Sequence, residues 1–313
     1  MPDASRTARP AGERASLYTE ITARIIAELE AGRLPWMQPW GDTATPLGLP
    51  RNAASGRTYS GVNVLILWGA VITGGFSSQS WLTYRQALAL GGNVRKGERG
   101  TTVVYADRFI PDRERHRQRE DGDEVQAVHF LKRFTVFNTG QCDNLPDGIA
   151  TAPPPIPEGL ILPRAEALIR ASGVDVRIGG AKAFYHVQKD YVQVPSPQAF
   201  FETINWHRTA FHELGHASGA VHRLKRDLYG YFGSRKYIFE ELVAEIASAY
   251  LCAALGIVPT VRHADYLGAW LDLLRGDDHA IVPAASQASK AADYLLACLP
   301  EAAGPTDDGR EAV

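Results

Sequence analysis

Cysteine is scarce in this 313-residue chain: Cys142, Cys252 and Cys298 are far apart, odd in number and never in a CxxC pair. That excludes a disulfide framework and a cysteine-rich metal site, and it suits a reducing cytoplasm. Methionine is scarcer still, present only as Met1 and Met37. Long apolar runs are missing too. The longest, Val62 to Phe76, is interrupted by Asn63 and three glycines and is too short to span a bilayer, so no membrane partner is expected. Residues 1–16 lack an apolar core and read as a disordered tail rather than a signal peptide, and 301–313 read as a second tail. Net charge is small as well, −2 from 33 Lys+Arg and 35 Asp+Glu, but it is unevenly divided. Residues 1–145 carry 18 basic against 15 acidic side chains, net +3, and residues 146–313 carry 15 against 20, net −5. A mildly basic front half is compatible with nucleic acid without requiring it.

What is present is an ordinary 45% of hydrophobic residues, enough for proper cores, on a chain long enough for two domains. The proline-rich stretch 146–158 (PDGIATAPPPIPE) reads as a semi-rigid linker between domains at 17–145 and 159–300. Asp107 to Glu124 is almost all charge and reads as a solvated loop between strands. Before the linker, apolar spacing predicts helices over Leu17–Leu29, Ser60–Trp68 and Ser80–Leu90, with Pro35 barring continuation of the first. Strands are expected at Thr101–Tyr105 and Phe130–Asn138. After the linker come a helix at Leu160–Ser172 and short strands at Asp175–Ile178, Ala183–Gln188 and Tyr191–Val194. Helices at Ile204–Ser218, Tyr237–Leu255, Ala264–Leu274 and Ala284–Leu299 follow. The expected fold class is α+β, in two domains. The helix at Ile204–Ser218 carries HELGH (212–216), an HExxH signature, and a small sheet followed by such a helix resembles the element order of zincin-type metallopeptidases.

His212 to His222, HELGHASGAVH, contains HExxH and also fits HExxHxxGxxH. His212 and His216 lie one helical turn apart and project from one face, so both imidazoles can reach one metal ion. Glu213 is placed to take a proton from attacking water rather than to bind the ion. The longer spelling would make His222 the third ligand, as in metzincins. That clan also needs a methionine downstream of the motif, and both methionines lie upstream. The competing donor is Glu241, 25 residues after His216, with Glu245 one turn further on the same face. Gluzincins of the thermolysin type use this arrangement, the second acid hydrogen-bonding a ligating histidine. Glu240, about 100° round the helix, is expected to point to solvent. The set His212, His216 and Glu241 is an open, catalytic-type site for Zn2+, and such donors also accept Mn2+ or cobalt. Tyr229, Tyr231 and Tyr237 lie between the ligand helices, and Tyr237 is the candidate oxyanion stabiliser if it is not simply a packing residue. The Tyr191–Val194 strand could receive an extended peptide by β-addition.

In the front half, aromatic residues interleave with basic ones and glycines. Trp36, Trp40, Tyr59, Trp81 and Tyr84 offer faces for unpaired bases, while Arg51, Arg57, Arg85 and Lys96 can follow phosphates. The same tryptophans, with Trp68, could equally be core or interface anchors.

Taken in order, PWMQPW (35–40), PRNAASGRTYSGVN (50–63), WLTYRQA (81–87), GGNVRKGERG (91–100), HELGHASG, RLKR (223–226), YIFEELVAEIASAYL, ADYLGAWLDLL (264–274) and ASKAADYLL (288–296) resemble the ArdC family of plasmid-borne antirestriction proteins. The resemblance covers roughly residues 17–299. It implies an N-terminal single-stranded DNA-binding domain and a C-terminal zincin-like metallopeptidase domain. It also implies protection of incoming plasmid DNA from host restriction during conjugation, with related domains in conjugative primases. One departure is His222, where the family usually has a small polar residue, which again favours Glu241 as the ligand. Three functions stay open: an ssDNA-binding metallopeptidase acting on an unknown protein substrate, with a restriction-system component as one candidate; an ssDNA-binding protector with a structural or vestigial metal site; and a general cytoplasmic metalloprotease.

Overall fold

In the computed structural model, residues 16–37, 47–109, 128–149, 158–258 and 266–300 are described below. The two expected tails, Trp40, most of the 107–124 stretch and most of the 146–158 linker lie outside them.

Helix α1, Leu17–Glu30, starts where the Ser16 side chain accepts from the Thr19 amide. It ends not at Pro35 but at Gly32, whose φ of 72° lets the Arg33 amide turn back to the Glu28 carbonyl. Strand β1 (Arg51–Asn52) and helix α2 (Val62–Gly74) follow. Residues 80–90 are not one helix. Ser80–Thr83 form strand β2, and the Thr83–Gln86 capping box starts the short helix α3 only at Tyr84–Ala89. The buried run Trp81–Leu82 fits a central strand as well as a helix, so apolar spacing alone did not separate them. Strand β3 (Asn93–Val94) precedes the long hairpin of β4 (Thr101–Phe109) and β5 (Val128–Asn138), and β3 pairs with β6 (Cys142–Asp143). The main sheet runs β1-β2-β5-β4.

The second half opens on α4 (Glu158–Ala171) and a three-stranded sheet of β7 (Asp175–Ile178), β8 (Phe184–His186) and β9 (Tyr191–Val194) in the order β7-β9-β8. Strand β9 is therefore central and already paired on both sides. Among the described residues, an added peptide strand would have to use an outer edge, that of β8 or β7, which corrects the expectation for 191–194. Four helices follow among the described residues: α5 (Thr203–Ala217), α6 (Arg235–Ala254), α7 (Leu267–Gly276) and α8 (Ile281–Leu296).

The two α+β domains share one continuous core. The Trp36 ring meets Trp270 of α7 edge to face at 5.4 Å, and Trp68 meets Tyr250 of α6 at 5.7 Å. Polar ties cross the same seam: the Tyr250 hydroxyl donates to the Gly61 carbonyl at 3.0 Å, and the Gly61 amide donates to Ser289 Oγ at 2.7 Å. Trp36, Trp68, Trp81 and Trp270 are all fully buried. No helix among the described residues is long and apolar enough to cross a membrane.

Candidate metal centre

Helices α5 and α6 pack closely because the motif has glycine at 215. A Cβ there would lie 3.3 Å from the Ala244 backbone. This approach sets His212 and His216 against the face of α6 that carries Glu241. The three donor groups form a small triangle, with Glu241 offering one carboxylate oxygen to each imidazole: 3.2 Å between the two Nε2 atoms, 3.5 Å from His212 Nε2 to Glu241 Oε2 and 3.4 Å from His216 Nε2 to Glu241 Oε1. Metal–donor bonds of about 2.0–2.1 Å in a tetrahedron separate neighbouring donors by about 3.3–3.4 Å, so the triangle fits a divalent ion. Among the described residues, these three form one of two compact groups of possible metal donors, the other being the surface cluster Asp277, Asp278 and His279.

Both imidazoles are backed on the far side. His212 Nδ1 lies 3.3 Å from Glu245 Oε2, and His216 Nδ1 lies 3.2 Å from Glu240 Oε1. Glu240 is therefore buried rather than solvated, which is the main correction at the site. Helix α6 runs through the core with Glu240 to Ala247 buried without a break, so it has no wet face to receive that side chain. The adjacent pair Glu240–Glu241 on a helix of such apolar surroundings was the signal available in the sequence.

The electrostatics follow from this crowding. Burial depresses the His212 imidazole, but Glu241 and Glu245 outweigh it and raise its pKa to about 9. The same contest at His216, with Glu240 and Glu241 as partners, raises it to about 10. Burial pushes Glu241 up, and the two histidines hold it far below the carboxylate range. An ion bound here would compete with protons for the same imidazole nitrogens.

Glu213 and Tyr237 line the same cavity, about 290 Å3, together with Tyr185, Leu228 and Tyr266. The Tyr237 hydroxyl lies 2.8 Å from that of Tyr266. Burial, then Tyr266 and Glu241, push the Tyr237 phenol well above its usual range, so it stays a proton donor. Ala183, Phe184 and Val187, in and beside edge strand β8, form one wall. His222 is mostly exposed and lies 3.2 Å from Asp190, away from the donor triangle.

The residues expected to touch DNA divide. Trp36 and Trp81 have no exposed surface and offer no ring face in this conformation, Trp36 being an anchor of the seam between the halves and Trp81 packing edge to face on Phe76 at 5.9 Å. Trp40 lies outside the described residues. Arg57, Tyr84, Arg85 and Lys96 are exposed, and Arg51 and Tyr59 half-buried. Sequence reading missed Tyr105 and Phe134, exposed residues on one face of the β4–β5 hairpin, where Lys132 pairs opposite Tyr105.

Comparison with known proteins finds a match in each half of the chain. The family profile for the N-terminal domain of anti-restriction factor ArdC matches residues 15–137, and that for a zincin-like metallopeptidase matches residues 163–287. Over 288 residues the chain is 41% identical to the uncharacterized protein y4eC of Sinorhizobium fredii, covering 90% of this chain and 92% of that one. It is 36% identical over 298 residues to the DNA primase TraC of Escherichia coli, 90% of this chain but only 27% of the primase. The metal-free crystal structure of antirestriction protein ArdC from plasmid R388 superposes with a TM-score of 0.74 at 36% identity, covering 90% of this chain and 97% of that one. The Mn(II)-bound structure of the same protein gives 0.75 at 35%, covering 91% and 99%. Shared over nearly its whole length with these proteins, and in both of its domains, the chain belongs to the ArdC family of antirestriction proteins.

Proposed function

We propose that this antirestriction protein binds single-stranded DNA through its N-terminal half and acts as a metal-dependent endopeptidase through its C-terminal half, protecting incoming plasmid DNA during conjugation. The observation that carries the enzymatic part is the donor triangle of His212, His216 and Glu241 sharing one cavity with Glu213 and Tyr237 beside a free strand edge. The Mn(II)-bound relative supports a divalent ion here, with Zn2+ and Mn2+ the two candidates. Such an ion supplies Lewis acidity, polarising a peptide carbonyl and acidifying water. The protein's own residues do the rest. The β8 edge aligns an extended protein substrate, Glu213 accepts the proton of the attacking water and passes it to the leaving amine, and the Tyr237 hydroxyl donates to the developing oxyanion.

For DNA, the proposal rests on the exposed set Tyr84, Arg85, Arg57, Lys96, Tyr105, Phe134 and Lys132, with Arg51 and Tyr59 at its margin. Aromatic faces beside cations suit unpaired bases of any sequence. Free Cys142, Cys252 and Cys298 suit action in the cytoplasm. Glu213→Ala, assayed in parallel for metal content, ssDNA affinity and protection of transferred DNA, tests the reading. Loss of protection with metal and ssDNA binding intact is the expected result. Full protection would instead make the metal site structural in a non-catalytic DNA protector, and salt-insensitive, negligible ssDNA binding by the wild type would leave only a general metalloprotease.

A further inference from the structure

The loop between the two ligand helices is wound around one buried arginine. Arg226, its side chain only 5% exposed, grips Glu240 with both arms of its fork: Nη2 donates to Oε1 at 2.7 Å and Nε donates to Oε2 at 3.1 Å. Oε1 is the same oxygen that faces His216 Nδ1. The guanidinium also donates to the Gly215 carbonyl at 2.6 Å and to Ser218 Oγ at 2.9 Å, so it is tied to the end of the helix that carries both histidines. Two backbone features make room for it. Lys225 takes a left-handed φ of 52°, uncommon for a residue with a side chain, and reverses the chain so that the Arg226 amide donates to the Gly219 carbonyl at 2.9 Å. At Gly219 a Cβ would lie 2.9 Å from the Arg226 guanidinium carbon and 2.8 Å from Leu228. The glycine that makes HELGHASG look like a metzincin motif is thus accounted for by the passage of an arginine.

We infer that Arg226 is a positioning residue of the metal centre: with Gly219 clearing its path, it fixes Glu240 as the acceptor for His216 Nδ1–H and so aims His216 Nε2 at the ion. This rests on the reading of His212, His216 and Glu241 as ligands. A planar fork can hold both carboxylate oxygens at once, whereas an ammonium acts as a point charge, so lysine is a poor substitute. Acids and bases backing a ligand imidazole typically change metal affinity by about 10–100-fold when removed.

The test is Mn(II) affinity of the full chain, by the EPR signal of free Mn(II) and by calorimetry. Arg226→Gln and Glu240→Gln should each weaken Mn(II) by about 10–100-fold, and the double variant should be no weaker than about threefold below the worse single one, because both break one linkage. Gly219→Ala should weaken Mn(II) when Arg226 is present and do nothing further in the Arg226→Gln background. Arg223→Gln is the control, since Arg223 is another buried arginine of this loop that binds Asp190 and the Ala217 carbonyl instead. It should cost stability while leaving Mn(II) affinity within about twofold. If Arg226→Gln behaves like Arg223→Gln, lowering the melting temperature but not Mn(II) affinity, Arg226 is only a structural tie and the inference is overturned. Wild-type protein that takes up neither Mn(II) nor Zn(II) overturns the metal reading together with this one.

Discussion

Replacing Trp36 with alanine separates the two roles that this tryptophan could have. Its ring is fully buried, edge to face on Trp270 at 5.4 Å, in the seam between the domains. Burying an indole removes about 150–250 Å2 from water, worth about 4–6 kcal/mol at ~25 cal/mol/Å2 as an upper bound. Core Trp→Ala substitutions cost about 3–5 kcal/mol once partial collapse of the cavity is included. In a chain of this size each kcal/mol moves the melting temperature by roughly 2–4 °C, so the variant should melt roughly 6–20 °C lower. Because α1, α2, α6, α7 and α8 share the core, the loss should appear in one transition, recorded by circular dichroism and by Mn(II) affinity, not in the N-terminal half alone. Measured well below that transition, ssDNA affinity should stay within about threefold of wild type. A variant that melts within a degree or two of wild type yet loses more than tenfold in ssDNA affinity would refute the argument and restore Trp36 as a stacking residue.

The exposed residues should behave in the opposite way. Tyr105→Ala with Phe134→Ala should weaken ssDNA binding by about 1–3 kcal/mol per stacked base without moving the melting temperature by more than a few degrees, as read by fluorescence anisotropy. Chelation with EDTA should lower the melting temperature, and Mn(II) at about one hundred times its dissociation constant should restore about 2.7 kcal/mol; an unchanged melt would count against a resident ion. At Asp190, burial raises the carboxyl pKa but hydrogen bonds from Arg223 and Tyr185 lower it more, leaving it below 3.8. Its contribution is therefore present above pH 3.8 and lost as pH falls through the depressed value, so the stability gap between wild type and Asp190→Asn should be seen near neutrality and close in strong acid. Tyr237→Phe should cut peptide turnover by about 10²–10³-fold while leaving Mn(II) affinity unchanged, and equal turnover would remove Tyr237 from the oxyanion role.

The sequence by itself determined most of the longer elements and which side chains could be proposed as metal donors. Helical spacing set His212 and His216 on one face, the absence of a downstream methionine argued against the metzincin ending, and the next helix offered Glu241 and Glu245 as candidates, which lie beside the two imidazoles. These are local facts, because one helical turn fixes relative side-chain direction whatever surrounds it. Tertiary structure decided everything that depends on what lies opposite. Glu240 turned inward because α6 is buried on every side, β9 lost its free edge because β7 and β8 flank it, and Trp36 and Trp81 became core because other elements cover them. Gly219 is the sharpest case. As letters it spells a chain turn toward a third histidine; in space it is the gap through which Arg226, seven residues on, reaches the carboxylate behind His216. Spacing along a chain specifies which way a side chain points, but only packing specifies what it meets.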